Sequence, residues 1–351
     1  MHIKFEEVIG ENKNFWKELR ELGLLRSSRV ELHGFTTEEI KSYFASISIS
    51  PNEEYSYAHN IINSASTNGF SFKPVTVNDV ILAVSHFKSQ AKGESILAKA
   101  LPSIAPQLVC LFNESIAQGI FPTAWKNAQI IALKKVAVPS SPSDFRPISL
   151  LCFLSKVLEK LAHDQIVEHF RGSGALDPFQ TGFKKHQSTQ TALLKLTDDI
   201  RMGRDKKLVT ILLQFDFSKA FDTISPSKLL HKLKDLGFSK SALLWVHSYI
   251  TGRSQCVISN STTSESRETN LGVPQGSVLG PLLFCLYIND LKHLSNVTAV
   301  PRLLYADDLQ IYIQVTLKKL YEGCSRADLD VGELELSPVK CQQDQSNYFW
   351  I

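Results

Sequence analysis

Apolar positions fall into two rhythms along the chain. Through the first hundred residues they recur at helical spacing between polar stretches. Thr36 with Glu39 forms a capping-box start before IKSYF, and Thr76 with Asp79 a weaker one before VILAVSHF. The Ser- and Asn-rich stretch between them, SISISPNEEYSYAHNIINSASTNG, predicts a surface linker. APQLVCLFNESIAQGIF predicts a helix that stops at Pro122, and AQIIALKK a short strand. From Phe145 the elements follow closely: FRPISLLCFLSKVLEKLAHDQIVEHF predicts a turn and then a long amphipathic helix, and STQTALLKLTDDIRMG a second one. LVTILLQFDF is an apolar, β-branched run of strand length whose composition predicts burial on both faces, and it ends in acid. Helices around SKLLHKLKDLGF and ALLWVHSYITG precede an alternating pair, QCVISN and ETNLGV, joined by a Ser/Thr-rich turn. A helix over GSVLGPLLFCLYINDLKHL leads to RLLYADDLQIYIQV, which predicts a strand, a tight acidic turn and a strand. There is no internal repeat.

Composition narrows the class. With 351 residues, 43% hydrophobic and 21% charged, the chain is globular in character and long enough for two or three packed units. The net charge of +3 is too small to announce a polyanionic partner. Its distribution says more. Residues 126–260 hold 20 Lys and Arg against 11 Asp and Glu, leaving 18 against 24 for the remainder, so the middle of the chain favours a polyanion. Six cysteines lack CxxC spacing and mostly sit in apolar runs, which predicts buried free thiols and an intracellular, non-secreted protein. The N-terminus alternates charged and apolar residues at helical spacing, unlike a signal peptide, and no stretch reaches the length of a membrane span.

Candidate chemistry centres on acids at strand ends. Tyr305-Ala306-Asp307-Asp308 lies between two apolar strands, and adjacent carboxylates there repel unless a cation is held. Asp is also a common turn residue, so the pair alone is weak evidence. Asp216 adds a third carboxylate just past an apolar strand, where an ionised group needs water, a partner or a metal. Two such strands side by side would form a divalent-cation nest of the kind that two-metal phosphoryl transfer requires. Magnesium suits an all-oxygen set. In GVPQGSVLGP, two glycines and a proline allow close approach of backbone to a ligand, and Gln275 supplies a donor and an acceptor. A proline-shaped helix entry accounts for the same residues.

FDFSKAFD, GVPQGSVLGPLLFCLYIND and YADD, in this order and at these separations, resemble the three palm motifs of the reverse transcriptases of non-LTR (LINE-type, jockey-like) retrotransposons. FRPISLLCFLSKVLEK and DPFQTGFKKHQST resemble that family's finger motifs, and FPTAWKNAQIIALKK the segment leading into them. The resemblance covers roughly residues 70–315. It implies an α+β, right-hand arrangement of fingers and palm with an antiparallel palm sheet, and RNA-directed DNA polymerisation with two Mg2+ ions, Mn2+ being the alternative. It also implies an RNA template, a DNA primer and deoxynucleoside triphosphates as partners. Asp216 and Asp307 would bridge the metals, with Asp308 as third member. Phe221 matches the bulky residue that excludes a ribose 2′-hydroxyl. Gln275 would sit near the incoming base and sugar. Arg146 and one of Lys134 or Lys135, with Lys135 the choice here, match residues that hold the triphosphate. Lys184 and Lys185 would belong to a basic surface facing template.

The expected division is a helical N-terminal linker region over 1–105, fingers over 106–200, palm over 201–316 and a divergent tail over 317–351. The tail lacks the family's continuation into a thumb, and SQAKGESILAKALP looks shortened against the family pattern. Two function classes therefore fit: a polymerase, or a truncated, inactive remnant that keeps the palm and binds nucleic acid.

Overall fold

Among the described residues, the strands form two four-stranded sheets, one mixed and one wholly antiparallel. The structure is a computed structural model that describes residues 32, 34–50, 55–87, 92–184, 187–259, 262–293, 301–318 and 348–350. Expectations for the N-terminal helical spacing, Lys185, Cys324, Cys341 and most of the tail lie outside the described residues.

The strands in chain order are β1 (Asn127–Lys134), β2 (Phe145–Leu150), β3 (Val209–Asp216), β4 (Arg253–Val257), β5 (Arg267–Thr269), β6 (Arg302–Tyr305), β7 (Asp308–Val315) and β8 (Tyr348–Trp350). The mixed sheet runs β2-β1-β4-β5, and β1 and β4 are its parallel pair. The antiparallel sheet runs β6-β7-β3-β8. The helices are α1 (Thr37–Ile47), α2 (Tyr55–Asn63), α3 (Val77–His86), α4 (Lys92–Gln118), α5 (Phe153–Phe170), α6 (Thr189–Asp205), α7 (Pro226–Asp235), α8 (Lys240–Ile250) and α9 (Gly280–Tyr287).

One large core joins α2 to α5 and α7 to α9, around the fully buried Phe112, Phe121, Phe238, Trp245, Tyr249 and Phe284. A second core forms where α1 lays Ile40 and Phe44 on Ile130, Phe145 and Val257 of the mixed sheet. α1 begins with the expected capping box, Thr36 and Glu39 satisfying each other's backbone N–H, and α3 does the same with Thr76 and Asp79. α6 covers part of the antiparallel sheet, setting Ala192 and Leu196 against Leu303 and Tyr312.

Several expectations change. The stretch predicted as a surface linker contains α2, whose Ala58, Ile61 and Ile62 are buried at i, i+3, i+4 spacing; polar flanks hide that short stripe. FRPISL is not a turn but β2, antiparallel to β1 with Ala132 opposite Pro147. Proline is tolerated because β2 is an edge strand, where a missing N–H breaks no ladder bond. The helix expected from Ala105 begins at Lys92 and runs through Pro102 and Pro106. β3 is not buried on both faces: only Thr210 is buried, because its sheet is narrow and α6 covers one side in part. Cys110 and Cys152 are exposed and Cys285 half-buried, leaving Cys256 alone fully buried among the described cysteines, all of which are free thiols.

Candidate active site

The register of β3 against β7 runs from Val209 opposite Val315 to Asp216 opposite Asp308. β6 and β7 form a hairpin closed by Tyr305 and Asp308, so Ala306 and Asp307 are its two-residue loop. Ala306 carries the positive φ of such a turn, 56°, a conformation that costs an L-residue roughly 1–2 kcal/mol. Asp216, Asp307 and Asp308 therefore gather at one corner of the antiparallel sheet, Asp216 and Asp308 exposed and Asp307 half-buried. Like charges directly opposite each other are unfavourable. The Asp308 carboxyl accordingly sits above its ordinary range, raised first by burial and then by the charges of Asp307 and Asp216. Among the described residues no three His, Cys, Asp or Glu side chains stand already drawn together as a metal cluster. The donor set is nonetheless all carboxylate oxygen, the chemistry that a hard divalent cation prefers.

The Gly272 to Gly276 loop packs against Phe221 and Asp222, just after β3, and against Ser149 of β2. Both glycines have positive φ, 84° and 110°, and a Cβ on either would meet backbone: Asp222 at 2.7 Å for Gly272, Ser149 O at 2.9 Å for Gly276. Their freedom thus serves close approach within the chain rather than to a ligand. The Ser149 N–H donates to Gln275 O at 2.7 Å and the Val273 N–H to Phe221 O at 2.9 Å, tying the loop to β2 and to the segment after β3. Gln275 Nε2 donates to Asp222 Oδ2 at 2.7 Å. Burial pushes the Asp222 carboxyl up to about 6, against the opposing pull of that hydrogen bond and of Lys219 and Lys135. Glu159, fully buried on α5, accepts from the N–H groups of Val278 at 2.7 Å and Leu279 at 3.2 Å, and from Ser155 Oγ at 2.9 Å. These are amides at the entry of α9, where a carboxylate is favoured.

Phe221 lies tilted at 33° against Phe284 with centroids 4.9 Å apart and meets the exposed Phe183 edge-on at 6.2 Å. Phe183 itself holds φ 60°, an outlier for a bulky residue. Arg146 on β2 is exposed and pairs in register with Leu133. The Lys135 N–H continues that ladder by donating to Asp144 O at 2.7 Å, so alternation puts Lys135 on the Arg146 face and Lys134 on the face of buried Phe145. The Lys135 ammonium donates to Ser143 O at 2.8 Å. Lys184 is half-buried: its ammonium donates to Asp177 O at 2.9 Å, and burial lowers its pKa.

The profile of the family described as "Reverse transcriptase (RNA-dependent DNA polymerase)" matches residues 133–349. The chain belongs to the reverse transcriptase family. It is 36% identical over 227 residues to a "Probable RNA-directed DNA polymerase from transposon X-element" of Drosophila melanogaster, covering 63% of this chain and 25% of that protein. It is 28% identical over 306 residues to an "RNA-directed DNA polymerase from mobile element jockey" of Drosophila funebris, covering 84% and 33%. A "Probable RNA-directed DNA polymerase from transposon BS" of Drosophila melanogaster is 29% identical over 301 residues, covering 82% and 33%. The chain thus spans a quarter to a third of the length of these curated relatives.

Within this reverse transcriptase domain, sequence reasoning named the acids, Phe221 and Gln275 but missed Asp222, Glu159 and Gln180, which hold the loops around them. Asp222 stood in KAFD and Glu159 in VLEK; an acid directly after two apolar residues was the available signal.

Proposed function

We propose that this chain carries the catalytic unit of an RNA-directed DNA polymerase of a non-LTR mobile element, extending a primer 3′ end with deoxynucleotides on an RNA template. The observation that carries the reading is the register of Asp216 against Asp308 with Asp307 in the adjoining hairpin loop. The antiparallel sheet would belong to the palm, over 201–316, and the β1-β2 ribbon to the fingers, over 106–200, of a right-hand polymerase. Asp216 and Asp307, with Asp308, would hold two Mg2+ ions. When bound, such ions polarise the phosphoryl oxygens and ease deprotonation of the attacking hydroxyl. The chain's own residues would do the rest. Arg146 and Lys135, on one face of the β1-β2 ribbon, would hold the triphosphate, the guanidinium in a two-pronged contact. Phe221 would close the space beside the sugar C2′, and Gln275, fixed by Asp222, would present its remaining amide groups to the incoming nucleotide. Phosphate contacts from the basic middle of the chain would hold the template and primer.

The test is primer extension on an RNA template with Mg2+, comparing the parent with Asp216→Ala and Asp307→Ala. Loss of either bridging carboxylate should lower the rate by at least ~10²-fold, since charge stabilisation at the transferring phosphoryl group is the dominant catalytic contribution. Variants that extend primers as fast as the parent would refute the assignment.

A further inference from the structure

We propose that Gln180 is a positioning residue for the carboxylate corner, holding Ala306 in the left-handed conformation that sets Asp307 against Asp216 and Asp308. The segment from Asp177 to Lys184 runs along β6 as a strap. The Leu304 N–H donates to Phe179 O at 3.0 Å, and the Thr181 N–H and hydroxyl both donate to Leu304 O at 2.8 Å. One end is anchored by Asp177, whose buried carboxylate pairs with the buried Arg302 of β6 at 3.1 Å. At the other end Gln180, 4% exposed, reaches the hairpin loop. Its Nε2 donates to Ala306 O at 3.1 Å, and its Oε1 accepts from the Ala306 N–H at 3.1 Å and the Gly182 N–H at 2.8 Å.

A carboxamide is the side chain this geometry requires. It supplies a donor for the Ala306 carbonyl and an acceptor for the Ala306 amide at once, whereas a carboxylate has no donor and an apolar side chain has neither. The peptide groups on both sides of one strained residue are thereby fixed, and that residue immediately precedes Asp307. Left unheld, a non-glycine residue at φ 56° has a lower-energy backbone to relax into, and relaxation would swing Asp307. Gly182 is part of the same device: a Cβ there would stand 2.1 Å from Ala306 N, so only glycine lets the strap lie this close. The carboxylates themselves are not needed to make these bonds. The positioning role rests on the polymerase reading only for its kinetic consequence.

The experiment uses the full chain and two perturbations of the same contact: Gln180→Met, which keeps the length of the side chain and removes all three hydrogen bonds of the carboxamide, and Gly182→Ala, which keeps Gln180 and forces the strap away. Amide hydrogen exchange is followed by mass spectrometry over residues 301–312 and, as internal control, over α7 and α8. Exchange in the hairpin should rise about 10-fold in both variants while the control helices change by less than about 2-fold. In primer extension, kcat should fall by about 10-fold or more, with KM for the nucleotide and affinity for template-primer within about 2-fold, because Gln180 touches neither. Hairpin exchange within about 2-fold of the parent in Gln180→Met overturns the proposal, as does a rise shared equally with α7 and α8. If Gln180→Met does not fold, Gln180→Glu, which keeps the acceptor, carries the comparison by the same criteria. A parent that extends no primer while its hairpin responds would defeat the polymerase reading and leave the positioning role standing; normal extension with an unresponsive hairpin would do the reverse.

Discussion

Asp222→Asn should make the protein more stable at alkaline pH, although it removes a hydrogen-bonded carboxylate. Burial raises the Asp222 carboxyl from 3.8 to about 6, so the folded protein holds this proton more tightly than the unfolded chain does. Between those two values the folded state binds more protons, and stability therefore falls as pH rises from about 4 through about 6; above that the penalty is complete. A shift of about two units corresponds to ~3 kcal/mol. Part of Asp222 is accessible to solvent, so the recoverable share is nearer ~1–2 kcal/mol. Asparagine keeps an oxygen to accept from Gln275 Nε2 and gives up the attraction of Lys219 and Lys135. Urea denaturation at pH 4, 6 and 8 reads the difference directly. The variant should match the parent near pH 4 and exceed it by ~1–2 kcal/mol at pH 8. A difference that is constant across pH, or a variant weaker than the parent at pH 8, would refute the reasoning.

Phe221→Ala should leave deoxynucleotide incorporation intact while discrimination against ribonucleotides drops by ~10-fold or more, measured as the ratio of kcat/KM values; unchanged discrimination would remove Phe221 from the sugar site. Glu159→Gln should cost ~1–3 kcal/mol in urea denaturation, since an amide oxygen cannot replace a carboxylate that accepts from two backbone N–H groups and a serine. A neutral outcome there would mean that the α9 entry is satisfied without it.

What was legible in the chain was whatever local pattern encodes. The capping boxes at Thr36 and Thr76 need only residues three apart, and the hairpin around Ala306 and Asp307 follows from two apolar runs separated by a short acidic turn. The acids were readable because an ionised group at the end of an apolar strand is costly without a purpose. What failed was local pattern in the wrong context. Pro147 read as a turn until β2 proved to be an edge strand, and the burial of Ala58, Ile61 and Ile62 depends on α7 and α8 packing over them. Gln180 meets a loop 126 residues away, and Glu159 a helix entry 119 residues away; no spacing rule within one element reaches either. The composition of β3 predicted two covered faces, but composition does not say how many strands flank a strand or which helices lie on it.

The residues that hold the candidate site share one habit. Glu159 binds backbone amides at the entry of α9, Gln180 binds the peptide groups of Ala306, and Asp222 binds the Gln275 side chain; none of them binds Asp216, Asp307 or Asp308. Among the described residues, no ion pair neutralises these three acids, although Lys and Arg outnumber Asp and Glu in the middle of the chain. Electrostatics explains the separation. A lysine or arginine bonded to one of these carboxylates would relieve their repulsion and would also compete with any cation for the same oxygens. Holding the corner through backbone geometry leaves the acids without an ion-pair partner among the described residues, and Asp308 stays above its ordinary range through burial first and then the charges of Asp307 and Asp216. The strain at Ala306 and the buried polar contacts of Gln180 and Glu159 follow from the same requirement, because a corner of like charges stays together only if the surrounding main chain is fixed from outside it.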